Sequence, residues 1–163
     1  MQNNAKAPII VETHLVITEV IDGDSIKVAS IFNKDEKEIR LYGIDCPENK
    51  YNRKMVEDEK KLHTPAEFLL GLGQQAHKFV LSVAPVGMSI TLQIEKGNEL
   101  DHYKRHLAYV ILPDGSCLNE IIVAKGYARA TGDYFCEELP KYQALQLRAM
   151  QKRQGLFKYI SRL

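Results

Sequence analysis

The sequence predicts an α+β domain dominated by a small barrel of five strands with helices packed against it. Three observations carry that expectation. β-Branched runs separated by turn residues open the chain as a three-strand meander. Helical spacing follows, and two more strands then precede two further helices. At 163 residues, 45% hydrophobic and 26% charged, the chain has the size and composition of one globular domain able to bury a core without disulfides.

The opening residues read as a tail. His14–Val20 and Ser25–Ile31 are β-branched runs joined through Asp22-Gly23-Asp24, which predicts a hairpin with an Asp-Gly turn. The charged loop Asn33–Lys37 leads into a third strand, Glu38–Ile44, where Ile39, Leu41 and Gly43 share one face and Arg40 and Tyr42 the other. Asn49–His63 is rich in Lys, Glu and Asp and reads as an exposed loop or frayed helix. Thr64-Pro65-Ala66-Glu67 then has a cap, a proline and an acid in the order that starts a helix. Gly71 and Gly73 are expected to break it, with helical spacing resuming over Gln74–Val83.

Alternation of Ile90, Leu92 and Ile94 predicts a fourth strand, Ser89–Glu95, and Leu107–Leu112 a fifth that ends in the turn Pro113-Asp114-Gly115. Leu118–Lys125 is a short helix closed by Gly126. Tyr127–Thr131 adds a short extended piece. A last helix covers Glu137–Arg153, with acids at its start and bases at its end, in agreement with the helix dipole.

A formal net charge of +1 neither announces nor excludes a nucleic-acid partner. The distribution is less even: from Lys141 onward there are Lys141, Arg148, Lys152, Arg153, Lys158 and Arg162, with no Asp or Glu. Cys46, Cys117 and Cys136 form no CxxC pair, so they describe neither a zinc knuckle nor a disulfide framework, and the redox compartment stays open. No apolar run reaches the length of a membrane span. The start, Met1-Gln-Asn-Asn-Ala-Lys, lacks the charged and apolar regions of a signal peptide.

The chemistry concentrates between Ile21 and Glu48, which holds Asp22, Asp24, Arg40, Asp45 and Glu48, while Asp101-His-Tyr-Lys-Arg105 supplies a second arginine. Carboxylates with arginines suit a metal ion and a phosphate. Each piece alone also reads as a polar turn or a strand-ending loop, and only the fold decides whether they meet. His102 and His106 would suit zinc on a helix, but they border a strand and read as surface residues. Cys46 has no histidine fixed beside it and reads as a bystander thiol.

Taken in order, Asp22-Gly-Asp-Ser25, Arg40-Leu-Tyr-Gly-Ile-Asp-Cys-Pro-Glu48 and Asp101-x-Tyr-x-Arg105-x-Leu-Ala-Tyr109 resemble the signature of the staphylococcal nuclease (thermonuclease) family. The segment Asn119-Glu-x4-Lys-Gly126-x-Ala128 is similar to the family's second-helix region. The resemblance covers residues 14–155 and leaves 1–13 and 156–163 as tails, the latter basic. It implies a five-stranded OB-fold barrel with about three helices. It also implies a monomeric, calcium-dependent nuclease that hydrolyses DNA and/or RNA with low sequence specificity and leaves 3′-phosphate ends. A secreted or periplasmic location is the family's suggestion.

Carried over residue by residue, the resemblance makes Asp24, Asp45 and the backbone carbonyl of Cys46 ligands of one Ca²⁺. Arg40 and Arg105 clamp the phosphate, and Glu48 positions or deprotonates the attacking water. Tyr103 hydrogen-bonds a phosphate and Tyr134 contacts the nucleotide. With three carboxylates against two arginines the site is negative, and one divalent cation reverses that sign. Cys46 stands where the best-known member has threonine, and Ser25 replaces another threonine but keeps its hydroxyl. His102 and Lys104 also depart from the familiar loop, and residues 49–73 form a longer stretch than expected, a lid, specificity loop or flap beside Glu48. The alternative is a catalytically silent OB-fold module that binds nucleic acid or protein. The presence of all five charged positions favours the enzyme.

Overall fold

The computed structural model describes residues 8–50, 53–62 and 65–163. Strands β1 (Ile9–Asp22), β2 (Ser25–Ser30), β3 (Glu36–Leu41), β5 (Ser89–Glu95) and β6 (His106–Ile111) close into a barrel in the order β1-β2-β3-β6-β5. All neighbours are antiparallel except β3 and β6, which run parallel. The expected five-stranded barrel is therefore present. β1 begins at Ile9, well before His14, and reaches β5 through Ile9↔Glu95. Two short strands, β4 (Ile44–Asp45) and β7 (Arg129–Ala130), pair antiparallel beside the barrel.

The barrel is filled by the alternate residues that the sequence pattern selects, among them Ile17, Ile26, Val28, Ile39, Leu41, Leu92 and Val110, all essentially inaccessible. Among the described residues four α-helices accompany it: α1 (Arg53–Leu62), α2 (Ala66–Val83), α3 (Leu118–Ala124) and α4 (Leu139–Gln151). The segment read as loop or frayed helix is thus helical over α1. Pro65 precedes the first residue of α2, and the Thr64 cap expected there lies outside the described residues. The exposed start of α2 is met instead by the Glu59 carboxylate, which accepts the Ala66 N–H at 2.8 Å and ties α1 to α2.

The expected break at Gly71 and Gly73 does not occur: α2 is one continuous helix of 18 residues. Gly73 is where it touches the rest of the site. A Cβ there would stand 1.9 Å from the carbonyl oxygen of Glu48 and 2.7 Å from that of Pro47, so glycine is required for close backbone approach. The residues after the last long helix are also packed, with Leu156 and Phe157 buried in a 3-10 turn.

Candidate active site

Strand register assembles the centre. Antiparallel pairing of β2 with β3 sets Ser25 opposite Arg40, so the Asp22–Asp24 turn lies at the same end of the sheet as Asp45. The Leu41 N–H donates to the Asp24 carbonyl at 3.0 Å and fixes that juxtaposition. The alternation that puts Ile39 and Leu41 into the core turns Arg40 to the opposite face, where it is also buried, at 2% exposure.

Arg40 is the hub. Its Nη2 lies 3.3 Å from Asp24 Oδ2 and 3.2 Å from Asp45 Oδ1, and Nη1 donates to the Leu41 carbonyl at 3.0 Å. Burial works against its charge, but Asp24 and then Asp45 outweigh that penalty and hold its pKa above the ordinary arginine value. Asp24 also accepts the Cys46 N–H at 2.8 Å. Cys46 is buried, with burial first and then Asp24 pushing its thiol pKa well up, which keeps the sulfur protonated and unreactive. All three cysteines are free thiols.

The second arginine arrives from the strand on the other edge of β3. β6 pairs with β3 through Ile39↔His106, which sets Arg105, one residue earlier, near the Arg40 strand. Arg105 Nε is 2.7 Å from Asp101 Oδ2, and its Nη2 donates to the Tyr134 hydroxyl at 3.2 Å. The Tyr134 ring in turn lies 3.7 Å from the Arg40 guanidinium, so one tyrosine joins both arginines. It is anchored by a Gly43 N–H donating to its carbonyl at 2.7 Å. Tyr103 stands outside at 78% exposure, with its ring centroid 5.5 Å from the Arg105 guanidinium. Glu48 follows β4 and lines a cavity of about 180 Å³ with Asp45, Cys46 and Pro47, walled on the far side by Asp58 and Lys61 of α1 and by Arg162 and Leu163.

Three residues of this centre take roles that the sequence alone does not assign. Asp101, the first residue of the motif Asp101-x-Tyr-x-Arg105, accepts the backbone N–H groups of Tyr103 and Arg105 as well as the Arg105 side chain. Burial pushes its carboxyl up, but those hydrogen bonds and the Arg105 charge prevail and hold its pKa below the ordinary value. A lowered folded pKa stabilises the protein above the unfolded value of about 4, and the effect vanishes as pH falls through the folded value. Asp101→Asn is therefore expected to be less stable than the parent at pH 7 and to converge with it at strongly acidic pH, as thermal unfolding across pH would show.

Asp22 is the second. Burial, then the neighbouring Asp24, and finally Glu48 raise its carboxyl to about 9, while it accepts the Asp24 N–H at 3.0 Å. Arg129 is the third, held by β7: its Nη2 lies 2.9 Å from Asp45 Oδ2 and 3.9 Å from Asp133. Asp22 stands among the clustered carboxylates of the sequence, though without a role of its own there, while nothing around Arg129 marks it beyond its charge.

The family model described as staphylococcal nuclease homologue matches residues 38–159. The chain belongs to this family. Among its relatives are three endonucleases of Bacillus subtilis (strain 168). YhcR is 30% identical over 149 residues, covering 87% of this chain but 11% of YhcR. YncB is 30% identical over 129 residues, covering 79% of this chain and 52% of YncB. An uncharacterized endonuclease of Escherichia coli O157:H7 is 28% identical over 148 residues, covering 90% and 78% of the two chains. The chain thus spans about half or less of the length of the Bacillus relatives.

Among the described residues no three His, Cys, Asp or Glu side chains converge as a ready-made metal cage. This staphylococcal nuclease homologue nevertheless has a donor set that fits a hard divalent ion. Asp24 and Asp45 both approach one guanidinium nitrogen within 3.3 Å, so the two carboxylates lie close enough to face one cation together. His102 and His106 contribute no such cluster among the described residues.

Proposed function

We propose that this chain is a metal-dependent nuclease that cleaves phosphodiester bonds of DNA or RNA with little sequence preference. The observation that carries the reading is the buried Arg40 holding Asp24 and Asp45 together while stacking on the tyrosine that also holds Arg105. Two planar guanidiniums beside paired carboxylates match a phosphodiester better than they match a structural ion pair alone.

Asp24, Asp45 and the carbonyl of Cys46 would hold one Ca²⁺, which, when bound, supplies positive charge for the phosphate oxygens. Arg40 and Arg105 bind and orient the phosphate and stabilise the charge that grows on its oxygens as the phosphorus becomes five-coordinate. Tyr134 fixes the spacing of the two guanidiniums, and Tyr103 presents its hydroxyl from the rim. Glu48, at the cavity wall, orients the water for in-line attack and takes its proton. As the bond from phosphorus to the 5′-oxygen breaks, that oxygen takes a proton from solvent water and leaves as the 5′-hydroxyl, and a 3′-phosphate remains.

Incubation of the protein with single-stranded DNA tests the reading. Cleavage with calcium and none with a chelator is expected; a strand shifted but intact in both conditions would establish a silent binding module instead. Arg105→Ala is expected to lower the rate about 10²–10³-fold, the loss typical of one transition-state donor. Because Arg105 is partly exposed, its removal should cost about 1 kcal/mol of stability or less, measured by denaturant unfolding.

A further inference from the structure

Both oxygens of Asp45 are occupied by guanidiniums. Oδ1 faces Arg40 at 3.2 Å and Oδ2 faces Arg129 at 2.9 Å. Arg40 is buried and held by carbonyls, carboxylates and an aromatic face, so it has nowhere to go. Arg129 differs: its side chain is 30% exposed and rests on the edge of the cavity beside Glu48. A second carboxylate, Asp133, stands 3.9 Å away on a side chain that is 78% exposed.

We propose that Arg129 is a positioning residue that competes with the divalent cation for Asp45. It pairs with Asp45 Oδ2 and keeps the carboxylate aimed at the centre, and it yields that oxygen to the ion by moving its pairing to Asp133. This rests on the metal reading above and concerns this chain's own guanidinium. The driving force is Coulombic. A monovalent and a divalent cation sharing one carboxylate oxygen would stand only about 4–5 Å apart, a repulsion that a partly exposed arginine relieves by rotating. Without Arg129, Asp45 would lose the guanidinium 2.9 Å from its Oδ2. With it, affinity for the ion is surrendered in exchange for a preset ligand.

Calcium titration of the full chain by calorimetry, without nucleic acid, reads the competition directly. Arg129→Ala is expected to bind calcium roughly tenfold more tightly, since the displaced charge is gone. Asp133→Asn, which removes the alternative resting place, is expected to bind it several-fold more weakly. The displacement itself is followed by NMR of the Arg129 Nε–H, whose signal should shift and lose order at saturating calcium. Equal or weaker calcium affinity in Arg129→Ala, or an Arg129 signal unchanged by calcium that binds, overturns the proposal while leaving the metal reading standing. No calcium binding by either the parent or Arg129→Ala would sink both.

Discussion

Replacing Arg40 by alanine is expected to damage both the fold and the reaction. The residue is 2% exposed and bridges two carboxylates that are themselves buried, Asp24 at 6% and Asp45 at 8%. Removing one partner of such a cluster leaves like charges in a poorly solvated place, which costs about 3–5 kcal/mol. Denaturant unfolding in chelator should show that loss. Added calcium should restore more stability to Arg40→Ala than to the parent, because the ion supplies the charge that the guanidinium no longer does. The rate should fall at least about 10²–10³-fold even with the fold restored. A variant as stable as the parent in chelator would mean that Asp24 and Asp45 do not depend on Arg40. That outcome would remove the observation on which the nuclease reading stands.

Gly73→Ala is expected to have a large effect from a single methyl group. The added Cβ would lie 1.9 Å from the Glu48 carbonyl oxygen and 2.3 Å from its carbonyl carbon, and backbone cannot fold away as a flexible side chain can. Either α2 lifts or the Pro47–Glu48 loop retreats. Overpacking of this kind costs about 1–3 kcal/mol. A displacement of about 1 Å at Glu48, the residue proposed to position water, would cost on the order of 10²-fold in rate. Gly71→Ala is the internal control, because nothing lies within 4 Å of a Cβ there. It should stabilise α2 by about 0.5–1 kcal/mol and leave activity unchanged. Initial rates and unfolding curves of the two variants, side by side, decide the matter. Full activity in Gly73→Ala would show that the helix does not set Glu48.

Gly71 and Gly73 also mark where local rules stop. Two glycines in three residues predict a break by propensity, and the helix runs through them. Tertiary contact overrides the weak local preference when one of those glycines is the only residue that lets two backbones meet. The same holds at Asp22: a turn aspartate by local pattern, it has its carboxyl raised to about 9 because the fold desolvates it first and then sets Asp24 and, more weakly, Glu48 beside it. Arg129 is 84 residues from Asp45 in the chain, and no periodicity relates the two.

What the residue order determined by itself was the kind of each element and the set of groups able to do chemistry. Strand alternation, the Asp-Gly turn and helical spacing are properties of near neighbours, and the physics that enforces them acts over a few residues. The barrel strands and α3 were legible on that ground, whereas Asp24, Arg40, Asp45, Glu48 and Arg105 stood out as a set only through the order of motifs that resembles the family. Only the tertiary structure decided that Asp24 and Asp45 share one guanidinium, that Tyr134 joins the two arginines, and that Arg129 stands at the remaining oxygen. Those facts follow from strand register, barrel closure and the β4–β7 pairing. Each is a long-range packing outcome in which a buried charge takes whichever partner the closed barrel places within reach.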